Sequence, residues 1–344
     1  MKKLLSLSLM LTFFGLNSQD LVKNITSNDS IVSTNDTIIQ KELEVPYNPL
    51  TKPNTYNSTK NPNYWKNKMP HEGYWQQDVH YLIKAEIIDT LNMIKASQEL
   101  IYTNNSPDEL NYVFFHLYAN AFEPDSYLDK FRKGNKMKTI FREDEKKKKN
   151  LEINSISSEG ESLDIEIDNT VMKVFLNEPL KSGETIKFNI DFESHFGGDE
   201  NTGNVRRRMK TYTEFGNKHY NGVHWYPRIS VYDSKFGWTT DQHLGKEFYG
   251  NFGCFDVELT FPDNYIVEAT GYMTNRNEVL PNELMKKLDI KNFADKKYNT
   301  PPSTIIRYNP GKKKTWKFHA ENVHDFAFTA DPSYRIGVAE WNGI

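Results

Sequence analysis

His71-Glu72 is the first pair in this sequence whose residue types could do chemistry. In a His-Glu-x-x-His helix, two imidazoles one turn apart hold a metal and the glutamate stands beside the metal-bound water. Here Gly73 falls inside the motif and Trp75 stands where the second imidazole should be, so the dipeptide is coincidental. His243 and Glu247 have a better spacing, with His219, His224, Asp233 and Asp241 nearby in sequence. That stretch is rich in glycine and aromatic residues, and loop histidines explain it more simply than a metal centre does. Cys254 is the only cysteine, which excludes an internal disulfide and a thiolate zinc site. It starts a run in which Phe255, Val257 and Leu259 alternate, so it reads as a packed or half-covered thiol and not as a nucleophile. Arg206-Arg207-Arg208 and Lys146 to Lys149 read as solvated loop charge, the second balanced by Glu143, Asp144 and Glu145. No Gly-x-Ser-x-Gly elbow and no phosphate-binding glycine loop occurs. These residues assemble no complete catalytic set.

The elements that must position them are short alternating runs: 80–89, 93–103, 163–176, 185–194, 254–262, 265–273, 303–310 and 314–323. Turn residues such as Ser182-Gly183, Pro262-Asp263-Asn264 and Pro310-Gly311 flank them. That spacing predicts a mainly β, antiparallel sandwich. Only residues 281–298 carry helical spacing, at Leu284, Leu288 and Phe293, which predicts one short helix. In "YTNNSPDELNYVFFHLYANAF" (102–122), Ser106-Pro107-Asp108-Glu109 resembles a helix start. The aromatic and β-branched run from Tyr112 to Tyr118 instead predicts a single turn followed by a strand apolar on both faces. Such a strand needs a second layer over the sheet.

The 344 residues carry 43 basic and 46 acidic side chains, a formal charge of −3, which argues against nucleic acid as a partner. "MKKLLSLSLMLTFFGLNSQ" (1–19) has the basic, apolar and polar order of a secretory signal peptide, too short to span a bilayer. Residues 20–70 are dominated by Asn, Thr, Ser, Lys and Pro and predict a disordered leader. Export without disulfides points to a bacterial periplasm, envelope or exterior, with no transmembrane segment left once the signal is removed.

Three stretches carry a family resemblance. They are "YTNNSPDELNYVFFHLYANAF"; "VHWYPRISVYDSKFGW" (223–238) with "HLGKEFYGNFGCFDVELTFPDNYIVEATG" (243–271); and "AENVHDFAFTADPSY" (320–334). In order and spacing they resemble the N-terminal domain of the alanyl aminopeptidase (aminopeptidase N-like, M1) family of zinc metallopeptidases, in its secreted bacterial branch. The resemblance runs from about residue 75 to the end of the sequence. It implies a saddle-shaped β-sandwich at 71–335 that precedes a thermolysin-like catalytic domain, with Val323 to Tyr334 as the last strand and 336–344 as the start of that domain, truncated here. The family's His-Glu-x-x-His helix, distant third-ligand glutamate and Gly-x-Met-Glu-Asn strand are absent from this sequence. The implied cofactor is therefore none in this chain, with zinc in the missing domain. The implied partners are the chain's own C-terminal catalytic domain and peptide substrates, and the implied role is a substrate lid and scaffold, inactive alone. In the family a side chain before the aromatic-proline motif, commonly glutamine, meets the substrate's amino end. No glutamine precedes Trp225-Tyr226-Pro227 here, and Asn221, His224 and Glu214 are the candidates to replace it. The competing reading is a non-enzymatic envelope sandwich that binds peptides or glycans on exposed Trp65, Trp225 or Trp238.

Overall fold

The computed structural model describes residues 73–137, 139, 141, 146, 149–197, 209–245, 248–289, 297, 299–302 and 304–338. Internal contacts divide the chain into Met1–Met69 and Pro70–Ile344, and every described residue belongs to the second unit. The expected signal peptide and leader, Trp65, His71-Glu72, the Arg206-Arg207-Arg208 run, Glu247 and residues 339–344 lie outside the described residues. No described helix is long and apolar enough to cross a membrane.

Eighteen strands appear among the described residues. They are β1 (Asp78–Ile88), β2 (Met93–Thr103), β3 (Leu110–His116), β4 (Leu151–Ser158), β5 (Glu161–Ser162), β6 (Ile165–Asp168), β7 (Val171–Leu180), β8 (Thr185–His195) and β9 (Lys210–Glu214). They continue with β10 (Asn217–Gly222), β11 (Arg228–Ile229), β12 (Tyr232–Asp233), β13 (Gly237–Trp238), β14 (Gly253–Pro262), β15 (Ile266–Ala269), β16 (Tyr272–Met273), β17 (Lys313–Val323) and β18 (Phe328–Asp331). Sheet I has the order β16-β17-β14-β1-β2-β8-β4-β5, sheet II β11-β3-β7-β6 and sheet III β15-β18-β10-β9, while β12 and β13 form a separate ribbon. All pairs are antiparallel except β1 with β14, which run parallel.

Sheets II and III both pack on one face of sheet I, closing the sandwich. Phe115 of sheet II meets Phe188 of sheet I edge-on at 5.6 Å, and Phe328 of sheet III meets Phe261 of sheet I at 5.9 Å. One apolar cluster runs through all three. Each fully buried aromatic or aliphatic side chain in it contributes roughly 1.5–3 kcal/mol by leaving water. Alternation explains why: Tyr81, Ile83, Ala85 and Ile87 of β1 are buried while the residues between them are more open. The open face of sheet I is polar, crossed by pairs such as Lys187 with Glu99 at 3.1 Å, and holds a trough of about 630 Å³.

Four expectations are corrected. Of the helix expected over 281–298, the described residues show one four-residue turn, α3 (Asn282–Met285), preceded by another, α2 (Arg276–Val279), and residues 290–296 and 298 are outside the described set. The longest helix among the described residues is α1 (Tyr127–Gly134), where the sequence pattern predicted none. Ser126 caps it by accepting from the Asp129 amide, and Arg132 and Lys133 sit in its last turn. The 303–310 run forms no strand among its described residues. The strand expected from Tyr112 to Tyr118 spans Leu110–His116, and its two faces differ. Val113 and Phe115 point into the sandwich at 0% exposure, whereas Tyr112 is 37% exposed. The outer face is covered by the small β12–β13 ribbon: Trp238 of β13 meets Phe114 at 5.6 Å. Ahead of it the expected single turn is a bend at Ser106–Asp108, where Ser106 Oγ accepts from the Asp108 amide at 3.3 Å.

Candidate functional site

The Trp225-Tyr226-Pro227-Arg228 stretch enters sheet II through β11, where Arg228 lies opposite His116 and Ile229 opposite Phe115. Two long-range bonds fix that entry: Gln98 Nε2 donates to the Pro227 carbonyl at 3.0 Å, and the Ile229 amide donates to Tyr81 Oη at 3.1 Å. Trp225, Tyr226 and Arg228 are all buried. Their polar atoms converge on one turn about a hundred residues later, His324-Asp325-Phe326. Trp225 Nε1 donates to the Phe326 carbonyl at 3.1 Å, Tyr226 Oη donates to Asp325 Oδ1 at 2.8 Å, and Arg228 Nη2 donates to the His324 carbonyl. The Phe326 amide also donates to Asp325 Oδ1, at 2.8 Å. Gly250 makes room for the guanidinium, since a Cβ there would lie 1.6 Å from Arg228 Nη2. Arg228 Nη1 has no acceptor among the described residues.

This clamp decides where His224 goes. His224 lies just before the clamp in the left-handed region, at φ +57°, which costs a non-glycine residue on the order of 1 kcal/mol. Its ring is buried against Phe248, with centroids 3.8 Å apart, and near Tyr118 at 5.4 Å and His243 at 6.3 Å. Its Nε2 stands 3.8 Å from Asp325 Oδ2, whose side chain keeps 21% of its surface open. Burial first, and then the Arg228 charge, hold the neighbouring His116 at about 4, so it is neutral at physiological pH. Burial pushes Tyr118, stacked on His116 at 4.7 Å, up to about 12. The cluster is thus an aromatic lining, with a neutral His116 in it and one partly accessible carboxylate at its edge, able to accept hydrogen bonds from an amine or other cationic donor.

The three candidate side chains do not converge. Asn221 lies on the outer face of sheet III, where its Oδ1 is 3.0 Å from His219 Nε2 and accepts from Thr329 Oγ1 at 3.1 Å. Glu214 is exposed at the far end of the β9–β10 hairpin, opposite Asn217. That is four residues, roughly 13 Å, from Asn221 along β10. Only His224 sits beside the clamp. His243, expected as a loop histidine, stacks on Phe248 at 4.7 Å, and its amide donates to Thr170 Oγ1 at 3.1 Å. Asp233 caps the amides of Lys235 and Phe236 and accepts from Tyr249 Oη. Among the described residues no three His, Cys, Asp or Glu side chains are placed to hold a metal ion. Cys254 is half-buried at the head of β14, as expected. Trp225 is buried and cannot be a ligand platform. Trp238 lies in a row of rings instead, Trp75, Tyr232, Trp238, Phe114 and Tyr112, spaced 4.8–5.6 Å apart.

No family model matches the chain, and neither does any curated protein. Solved structures do. An M1 zinc metallopeptidase from Deinococcus radiodurans matches with a TM-score of 0.40 and 12% identity over 74% of this chain and 42% of its own. A mutant of that enzyme bound to a Tyr-Ser-Ala substrate gives the same figures. A two-domain M1 zinc metallopeptidase mutant bound to L-tryptophan matches at 0.39 and 13% over 76% of this chain and 44% of its own. The chain thus spans less than half of the solved chains it matches.

Sequence reasoning missed Arg228 and Asp325. A signal was present: each is a lone charge in an otherwise aromatic stretch, Trp-Tyr-Pro-Arg and His-Asp-Phe. A charge held among aromatic residues is either paired or hydrogen-bonded, so the two should have been sought as partners.

Proposed function

We propose that this chain is the substrate-lid and scaffold domain of an exported zinc aminopeptidase, acting with a catalytic domain that supplies the metal. The observation that carries the proposal is the clamp. Two of the motif stretches that resemble the family, far apart in sequence, are tied by three side-chain hydrogen bonds, and the tie sets His224 beside the Asp325 carboxylate. In this reading His224 takes the place of the family's glutamine, and Asp325 adds a negative charge that favours a protonated peptide amino end. In this reading the chain contributes binding and orientation, and the bond-breaking step falls to the catalytic domain. The test is made in the complete gene product, with an aminoacyl reporter substrate. Replacing His224 by Ala should raise KM roughly tenfold with little change in kcat, the pattern of lost ground-state binding. An unchanged KM removes His224 from the site, and a coding sequence without His-Glu-x-x-His beyond Ile344 removes the enzyme reading altogether.

The ring row from Trp75 to Tyr112 favours a second reading, an envelope module that stacks glycans on aromatic faces. Binding of soluble oligosaccharides with quenching of tryptophan fluorescence, abolished in Trp238→Ala, would establish it.

A further inference from the structure

On the outer face of sheet III, His219 of β10 is surrounded by partners on both sides of its ring. Nδ1 lies 3.3 Å from Asp331 Oδ2 and 3.2 Å from Tyr334 Oη. Nε2 lies 3.0 Å from Asn221 Oδ1 and 3.4 Å from Thr329 Oγ1. A carboxylate on one side and an amide oxygen on the other are both acceptors, and only the imidazolium can donate to both at once. The same partners hold the backbone that leaves the sheet. Asp331 Oδ1 accepts from the Ser333 amide at 2.7 Å and from Ser333 Oγ, and Tyr334 Oη is bonded to Thr329 Oγ1.

We propose that His219 is a proton-operated latch on the segment after β18: charged, its ring binds Asp331 and Tyr334 firmly to β10, and neutral, it holds them by a weaker bond that lacks the imidazolium charge. The latch follows from topology as much as from chemistry. β18 lies between β10 and β15 and is the last strand among the described residues, so the segment beyond Asp331 leaves from the end of an interior strand of sheet III. The charged groups around the ring are few. Asp331 and Tyr334 touch it; from β9, Tyr212 faces it at 5.8 Å with Lys210 over that ring; Lys218 of its own strand turns away to the Asp89 carbonyl; and Glu268 of β15 lies beyond Thr329 on the same face. Asp331 is the nearest negative charge, and its hydrogen bond to His219 raises the histidine above its ordinary value. The sign follows: a raised folded value means the latch is fully set below the ordinary histidine value and is lost as pH rises through the raised one.

The test combines a titration of the His219 ring resonances with native-state hydrogen exchange at the Ser333 to Ile336 amides in the full chain. In the wild type the ring should titrate above 6.5, and the exchange, corrected for its intrinsic pH dependence, should accelerate several-fold as pH passes that midpoint. In His219→Gln the acceleration should disappear. Asp331→Asn, which keeps the shape, should lower the ring's midpoint and flatten the exchange profile, so the idea stays open to refutation even if the glutamine variant does not fold. A wild-type midpoint at or below 6.5, or an unchanged acceleration in either variant, overturns the latch.

Discussion

Arg228 is a full charge in an apolar interior, and the residues around it are constrained by its shape. Gly250 is the clearest case: a methyl group there meets the guanidinium, which is buried and cannot swing into water. Gly250→Ala should therefore cost about 2–3 kcal/mol through displaced packing and a broken bond to the His324 carbonyl. Gly134→Ala is the control. It has no atom within 4 Å of the added carbon and lies in α1, so it should be neutral or raise stability by up to about 1 kcal/mol. Urea unfolding of the two variants beside the parent measures both. His116 gives a pH prediction of opposite sign to His219. Its folded value, about 4, lies below the ordinary one, so the folded state refuses a proton that the unfolded chain accepts. Stability should fall as pH drops from 6.5 toward 4, by up to about 3 kcal/mol from this residue. The dependence should be shallower in His116→Gln, and an identical slope in both proteins would show that His116 is not buried as described.

At the scale of elements, β3 tests the layering. Phe115 is completely enclosed and packs edge-on against Phe188, whereas Tyr112, three residues earlier on the same strand, is open and carries Lys173 over its ring at 4.2 Å. Phe115→Asp should abolish folding, because it places an unpaired charge between sheets I and II. Tyr112→Ser should cost less than about 1 kcal/mol. A soluble Phe115→Asp protein melting within a few degrees of the parent would mean that β3 is not central. Alternation made most of the strands legible: β2 and β8 match the expected runs almost residue for residue. Among the misses, β9 and β10 are short and polar on one side, so their period is hidden by Lys210, His219 and Asn221, residues whose partners lie elsewhere in sequence. Within the expected helix at 281–298 the described residues form a single turn, α3, whose start has no side-chain cap. α1 was overlooked among charges although Ser126 was in place to cap it.

At the scale of the whole molecule, the described core is a continuous apolar cluster, whose burial alone can hold the sheets together. Dialysis of the purified full chain against a chelator should leave its melting temperature unchanged within about 1 °C. A drop of several degrees, with zinc recovered in the dialysate, would reveal a structural site.

The sequence by itself determined the class of the fold. Alternating apolar residues between turn signals can be buried only as a layered β structure, and that information is local, carried within each run of ten residues. It also marked the Trp-Tyr-Pro-Arg and His-Asp-Phe stretches as special. What it could not determine was that these two stretches grip each other, that His224 and not Asn221 or Glu214 lies beside the grip, or that Asn221 is bonded to His219. Those facts depend on which strands become neighbours: Arg228 meets His324 only because β11 joins β3 at one side of the sandwich while β17 and β18 carry the His324 turn to the same place. Pairing between segments about a hundred residues apart is set by the packing of the entire core, and no local pattern encodes it.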